Sequence, residues 1–285
     1  MYKKYIIITG ANSGIGFQAA LQASYNKDYF ITMLCRNQLR AEEACNNILK
    51  ESKNNNIDYI VADLSSMQNI KEAVNIYKDR HNHLDVLINN AADFNIANKK
   101  RKITDDGLEN QFAVNVAAPY MLSCLLKDYL EKSPNGKIIN ISSKGLCLFP
   151  FIKLDFDNLN GEKKYKPAYM YYQNKLALLL LSKYLSDKQN RIKIQAVRVT
   201  NVKIDINRYA DINGFLKFMY NIKSLFSINP AEMAMIYNEL AFNDYEGFLF
   251  DEKCRQIKAN KYVYNIYAQK KLYEYLTSTL NISFL

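Results

Sequence analysis

Thr9-Gly10-Ala11-Asn12-Ser13-Gly14-Ile15-Gly16 decides the fold, because it joins a strand-like run to a helix-like one. Upstream, Tyr5-Ile6-Ile7-Ile8-Thr9 is a near-continuous apolar run of strand length with no polar face, and a helical pattern begins at Ile15. Three glycines at the bend let the backbone approach a pyrophosphate, while the first turn of the helix offers unpaired N–H groups and the positive end of its dipole. A tight turn without any ligand would use the same glycines, so the surrounding chain has to decide between the two readings.

Outward from this turn, apolar runs of strand length alternate with helical patterns. Strands are expected over 5–9, 29–35, 57–62, 86–89, 137–142, 193–199 and 248–250. Helices are expected over 15–25, 39–52, 67–78, 106–130, 168–185, 215–226, 230–241 and 262–278, with Pro230 in a first turn. Such alternation implies parallel βαβ units, and strands that are apolar on both sides imply helices on both faces of the sheet. No linker or repeat interrupts the rhythm. The expected architecture is α/β, one Rossmann-like domain over 1–285 with a doubly wound parallel sheet of about seven strands.

Composition narrows the function classes. With 49% hydrophobic and 23% charged residues, the 285-residue chain has the apolar content for a large core, which excludes disordered and fibrous classes. The apolar run Leu176 to Leu181 falls short of the ~20 residues that cross a bilayer, and no cleavable signal precedes the first strand, so a cytoplasmic protein is expected. The net charge of +10 comes from 38 basic residues, of which 30 are Lys scattered among many Asn, so a nucleic-acid partner is not expected. Five cysteines without a CxxC pair fit reduced, mostly buried thiols. His81 and His83 stand in a polar stretch without carboxylates at ligand spacing; they are expected in a solvated loop, and no metal site is expected.

About twenty residues past the glycine turn, the second strand ends at Cys35-Arg36, where a dinucleotide enzyme reads the adenosine ribose. An acid there would accept from a free 2′-hydroxyl, whereas the donor fork of Arg36 suits a 2′-phosphate, so NADP(H) is favoured over NAD.

At this point the chain resembles a short-chain dehydrogenase/reductase over nearly its whole length. Besides the glycine turn, Asp63-Leu64 after strand three, Asn89-Asn90-Ala91-Ala92 after strand four, Asn115 in Phe112-Ala113-Val114-Asn115, Ser142-Ser143 ending strand five and Tyr171-Tyr172-Gln173-Asn174-Lys175 fall in family order. Cys35-Arg36-Asn37, Ile139-Asn140-Ile141-Ser142-Ser143 and Gly247-Phe248-Leu249-Phe250-Asp251 resemble the retinol dehydrogenase-like branch, whose members commonly reduce lipophilic carbonyls with NADPH. The resemblance implies a cofactor site of Gly10, Asn12, Ser13, Gly14, Ile15, Gly16, Arg36, Asp63, Leu64, Asn90, Ala91, Tyr171, Lys175, Thr200 and Val202. It also implies catalytic roles for Asn115, Ser143, Tyr171 and Lys175, with Asn115 positioning a water and Lys175 holding the nicotinamide ribose.

The residues themselves support that chemistry. Tyr171 and Lys175 are four apart on one helix and share a face, and an adjacent ammonium favours a phenolate, which makes the phenol a usable acid. Ser143, at the carboxyl end of a strand, can donate to a carbonyl oxygen as charge develops there. Tyr172, three residues before Lys175, competes for the acid's place; the family spacing selects Tyr171. Ser143 and Tyr171 are 28 positions apart, too long for a simple connection, so an ordered loop over the site mouth is expected.

The chain also departs from the family pattern. Val199-Thr200 replaces the usual Pro-Gly, Ile204 a Thr, Ala92 a Gly, and Asn174 a small residue. The expected function is an NADP(H)-dependent oxidoreductase interconverting a lipophilic ketone or aldehyde with its alcohol; the alternative is an NADP-binding sensor or scaffold without turnover. A substrate-covering segment is expected at about 205–228, where Phe218, Met219 and Ile222 line an apolar pocket, pack on the core, or touch a membrane surface. Helices 106–130 and 168–185 are expected to form the paired-helix interface of a homodimer.

Overall fold

The computed structural model describes residues 2–94, 99–203 and 227–285. Seven parallel strands form one sheet in the order β3-β2-β1-β4-β5-β6-β7. They are β1 (Lys4–Thr9), β2 (Tyr29–Cys35), β3 (Ile57–Val61), β4 (Val86–Asn89), β5 (Lys137–Ser143), β6 (Lys193–Val199) and β7 (Leu249–Phe250). Helices α1 (Gly14–Ser24), α2 (Gln38–Ser52) and α3 (Met67–Arg80) connect the early strands, α7 (Pro167–Lys188) links β5 to β6, and α8 (Pro230–Phe242) precedes β7.

Period-two alternation in the strands feeds two cores. Ile6 and Ile8 point into one with Ile31, Met33, Ile139, Ile141, Val197 and α8; Ile7 points into the other with Leu87, Ile138, Ile194 and the leucines of α7. Burial on both faces explains why β1 has no polar side. The strand order reverses between β1 and β4, and the crevice beyond their carboxyl ends is where open α/β sheets take ligands.

The strands lie where the sequence predicts them, but several other elements differ. The helix expected over 106–130 is broken into α4 (Asn110–Phe112), a π turn over Ala113–Ala117, α5 (Ala118–Leu125) and α6 (Lys127–Glu131). Asp106 does not begin it; its carboxylate accepts from Met67 N–H at 2.7 Å, at the start of α3. The last helix starts late, as a 3-10 turn over Lys261–Tyr264 followed by α9 (Ile266–Leu280), because Asn265 caps the second piece by accepting from Ala268 N–H at 3.0 Å. His81 and His83 are not solvated. Their rings pack among Tyr2, Tyr5, Phe30 and Tyr77 at centroid distances of 4.7–5.1 Å, and His83 Nε2 lies 3.2 Å from Asp85. The helix expected over 215–226 lies outside the described residues. Among the described residues no helix is long and apolar enough to cross a membrane, and no cluster of three His, Cys, Asp or Glu could hold a metal.

The long connection between Ser143 and α7 is ordered by its own contacts. A 3-10 turn over Lys144–Leu148 follows β5, and Ile152, Leu154 and Leu159 are then buried in the core beside α7. Gln173 ties it down, its amide donating to Lys153 O at 2.6 Å and accepting from Asp155 N–H at 2.9 Å.

Candidate active site

The glycine turn has the backbone its sequence requires. Gly10 and Gly14 have φ of +65° and +61°, a region L side chains rarely adopt, and a Cβ on Gly14 would meet nothing within 4 Å. Gly16 is a glycine for another reason: a Cβ there would sit 2.5 Å from Asn90 Nδ2 and 2.6 Å from Gly10 O. Ser13 precedes α1 without a side-chain cap, and no acid stands in the first turn, so the first N–H groups of α1 beside Asn12 and Ser13 lack side-chain partners, with open space at Gly14. The end of β4 is laced to this turn: Asn90 Nδ2 donates to Thr9 O at 2.9 Å, and Ala91 N–H donates to Thr9 Oγ1 at 2.9 Å.

Arg36 follows β2 and is exposed, with no ion-pair partner among the described residues. Asp63 and Leu64 follow β3; Asp63 Oδ1 accepts from Ser65 N–H at 2.9 Å and from Ser65 Oγ at 2.7 Å, which fixes the carboxylate at the crevice edge. Open space at Gly14, uncapped donors and an unpaired cation after β2 fit a dinucleotide phosphate.

At the other end, β5 and α7 bring Ser143, Tyr171 and Lys175 into one neighbourhood. Lys175 is 2% exposed and donates from Nζ to Ile141 O at 2.7 Å, and that nitrogen lies 5.6 Å from the Tyr171 ring centroid. Burial with a single carbonyl partner pulls the amine down from its ordinary 10.5 to about 8. Tyr171 is half-buried, with the Phe94 ring 4.5 Å away and the Tyr172 ring 5.4 Å away, both edge-on. Ser143 Oγ accepts from Gly145 N–H at 3.1 Å. Its neighbour Ser142 faces the α7 side and is buried.

Asn115 is buried in the π turn over Ala113–Ala117. Its side-chain amide accepts from Asp93 N–H at 2.8 Å and donates to Asp93 O at 2.9 Å. It therefore fixes the chain leaving β4. The π turn around it lifts main-chain carbonyls out of the usual helical pairing. Thr200 and Val202 lie just past β6, half-buried, where Val202 pairs with Ile228 and Lys203 N–H donates to Ile228 O at 3.1 Å. Ile204 lies outside the described residues.

Sequence reading missed the supporting residues. Asp93 and Phe94 carry no motif; they matter through a main chain and a ring that approach Asn115 and Tyr171 across the fold. Glu109 is wholly buried, caps α4 by accepting from Phe112 N–H at 2.9 Å and receives the Tyr165 hydroxyl at 3.2 Å, while burial raises its pKa. Glu is not among the residues that ordinarily cap helices, so the sequence carries no signal for this one.

Comparison with known proteins agrees with this geometry. A family profile described as short chain dehydrogenase matches residues 4–152. Human retinol dehydrogenase 13 is 33% identical over 260 residues, covering 87% of this chain and 76% of that one. Human retinol dehydrogenase 14 is 29% identical over 250 residues, with 82% and 72% covered. Among solved structures, a short chain dehydrogenase from Shigella flexneri complexed with NADP superposes with a TM-score of 0.63 at 18% identity, covering 89% of this chain and 98% of that one. A short chain dehydrogenase/reductase from Saccharomyces cerevisiae gives 0.66 at 19% identity, with 87% and 96% covered. The two solved structures speak for the fold alone; the profile and the sequence relatives go further and place the chain in the short-chain dehydrogenase/reductase family of oxidoreductases, in its retinol dehydrogenase-like branch.

Proposed function

We propose that the protein is an NADP(H)-dependent oxidoreductase that interconverts a lipophilic ketone or aldehyde with the corresponding alcohol. The observation that carries this reading is the buried Lys175 amine behind the Tyr171 ring, beside a β5 end that presents the Ser143 hydroxyl. The reduced nicotinamide, when bound, supplies a hydride to the carbonyl carbon. The chain does the rest. Ser143 donates a hydrogen bond to the carbonyl oxygen as negative charge develops, and the Tyr171 hydroxyl gives its proton to that oxygen. The Lys175 ammonium favours the tyrosinate left behind, and it also reaches the ribose hydroxyls. Gly10, Asn12, Ser13, Gly14, Ile15 and Gly16 hold the pyrophosphate, Arg36 the 2′-phosphate, Asp63 and Leu64 the adenine, and Asn90, Ala91, Thr200 and Val202 the remainder of the dinucleotide. A lipophilic substrate is supported by Phe94 at the Tyr171 ring and by exposed Leu148 and Phe151 just past Ser143. Five unpaired thiols fit a reducing compartment such as the cytoplasm.

The competing reading, an NADP binder without turnover, draws on Val199-Thr200 standing where the family usually has Pro-Gly. Tyr171→Phe separates the two. NADPH affinity, read by the fluorescence of NADPH itself because the chain has no Trp, should survive, while turnover of a carbonyl substrate should fall by ~10²–10⁴. Near-normal turnover in Tyr171→Phe overturns the mechanism. Tight NADPH binding with no turnover across short aldehydes, retinoids, steroid-like ketones and sugars favours the binder.

A further inference from the structure

Two residues past Ser143, Gly145 has no room for a side chain. A Cβ built on it would overlap Cε1 of Tyr172 and lie 2.6 Å from the Tyr172 hydroxyl oxygen and 2.7 Å from Cζ. Gly145 is not among the glycines with positive φ, so its backbone suits any residue; what it requires is the empty space into which the Tyr172 ring settles. That ring is itself wedged. Phe149 lies against it at 4.9 Å between centroids, from the far end of the same turn, which closes by Phe149 N–H donating to Leu146 O at 3.0 Å. Tyr171 stands edge-on to it at 5.4 Å. One side chain therefore touches the turn that carries Ser143 and the tyrosine next to it in sequence.

Gly145 is also the residue that orients Ser143. A serine hydroxyl has one proton to give and two lone pairs to offer. The Gly145 N–H occupies a lone pair of Ser143 Oγ at 3.1 Å, so the hydroxyl proton cannot point at Gly145 and is left for another acceptor. A carbonyl oxygen that takes hydrogen bonds from both Ser143 and Tyr171 needs the two hydroxyls at a set separation, and an error of 1 Å in such a pair slows reactions by roughly a hundredfold.

We propose that Tyr172 is a positioning residue that presses on Gly145 and so keeps the Ser143 hydroxyl in its donor orientation at a fixed distance from Tyr171. The inference deepens the reductase reading and rests on it for the roles of Ser143 and Tyr171, but the clamp has a readout of its own. Hydrogen exchange of the peptide spanning Gly145 should be slow in the wild type and speed up at least tenfold in Tyr172→Ala, with no substrate present. In turnover, Tyr172→Ala and Gly145→Ala should each lower kcat about ten- to a hundredfold with NADPH affinity within twofold of wild type. Tyr172→Phe, which keeps the ring, should restore most of the rate lost in Tyr172→Ala. In a Ser143→Ala background, the same changes should lower kcat no further, because the group they position is gone. Unchanged exchange at Gly145 in Tyr172→Ala overturns the clamp whether or not any carbonyl is turned over. Accelerated exchange in a protein that turns over none of the panel supports the clamp and rejects the reductase reading. Full-size losses that persist in the Ser143→Ala background overturn the proposal, since Tyr172 would then act on substrate directly.

Discussion

At Lys175 the amine is held where charge is disfavoured, and the sign of that effect can be worked out. The unfolded amine titrates near 10.5 and the folded one at about 8, so the unfolded chain binds more protons between these values and stability rises with pH across that window. Below about pH 8 the full penalty stands, ~3 kcal/mol from the difference between the two values. Lys175→Met removes it, and sets against it ~1 kcal/mol for the Ile141 carbonyl left without its donor. Urea melts of the nucleotide-free protein at pH 7 should therefore find Lys175→Met more stable than wild type by about 2 kcal/mol, with the advantage shrinking toward pH 10, while turnover is lost. A Met variant less stable than wild type at pH 7 would show that the amine is not held at a penalty. Arg36 makes the complementary case at the opposite end of the crevice. It is exposed and has no ion pair among the described residues, so a charge-assisted contact to a 2′-phosphate adds ~1.5–3 kcal/mol, or roughly tenfold or more in affinity. Calorimetry should show NADPH bound that much more tightly than NADH, with the difference erased in Arg36→Ala; equal affinities in the wild type remove Arg36 from this role.

Among elements, legibility followed how local the determining physics is. The β1 run Tyr5-Ile6-Ile7-Ile8-Thr9 reads as a strand from sequence because both of its faces feed cores, and the glycine turn reads because its backbone needs glycine at Gly10 and Gly14. That Tyr171 and Lys175 share a helix face was legible from their spacing of four, and Ser143 stands at a strand end as read. The stretch 106–130 was legible only in part: its apolar spacing suits one long helix, but Pro119, which has no N–H for the Asn115 carbonyl, marks the place where the helix breaks. Partners far along the chain add to that local break: the Asp93 main chain takes both ends of the Asn115 side chain, and Asp106 is drawn off to accept from Met67 N–H. The same holds for His81, polar by sequence and buried by the rings of Tyr5, Phe30 and Tyr77 that converge on it from other elements. Gly145 was silent for a similar reason; only the approach of Tyr172 explains why that position holds no side chain.

For the molecule as a whole, the consequence of the C-terminal helix is the largest. The all-apolar run Leu176-Ala177-Leu178-Leu179-Leu180-Leu181 on α7 needs cover on every side, and a second copy was the expected source of it. The chain supplies that cover itself. α9 lies along α7 and reaches α5: Tyr273 packs on Tyr184 at 5.0 Å and on Tyr120 at 6.0 Å, the Tyr120 hydroxyl pairs with Thr277 Oγ1 at 2.7 Å, and Leu272 and Leu276 are fully buried. Among the described residues α9 covers α5 and α7 where a partner would pack, so we propose that sedimentation gives a single species at the 33.0 kDa of one chain across the micromolar range. Leu272→Ala with Leu276→Ala should loosen α9, since each buried Leu→Ala removes ~2–5 kcal/mol, and the uncovered α5 and α7 should then associate as concentration rises. A wild-type particle of twice the chain mass that persists on dilution would mean that association uses a different face and that α9 does not stand in for the partner.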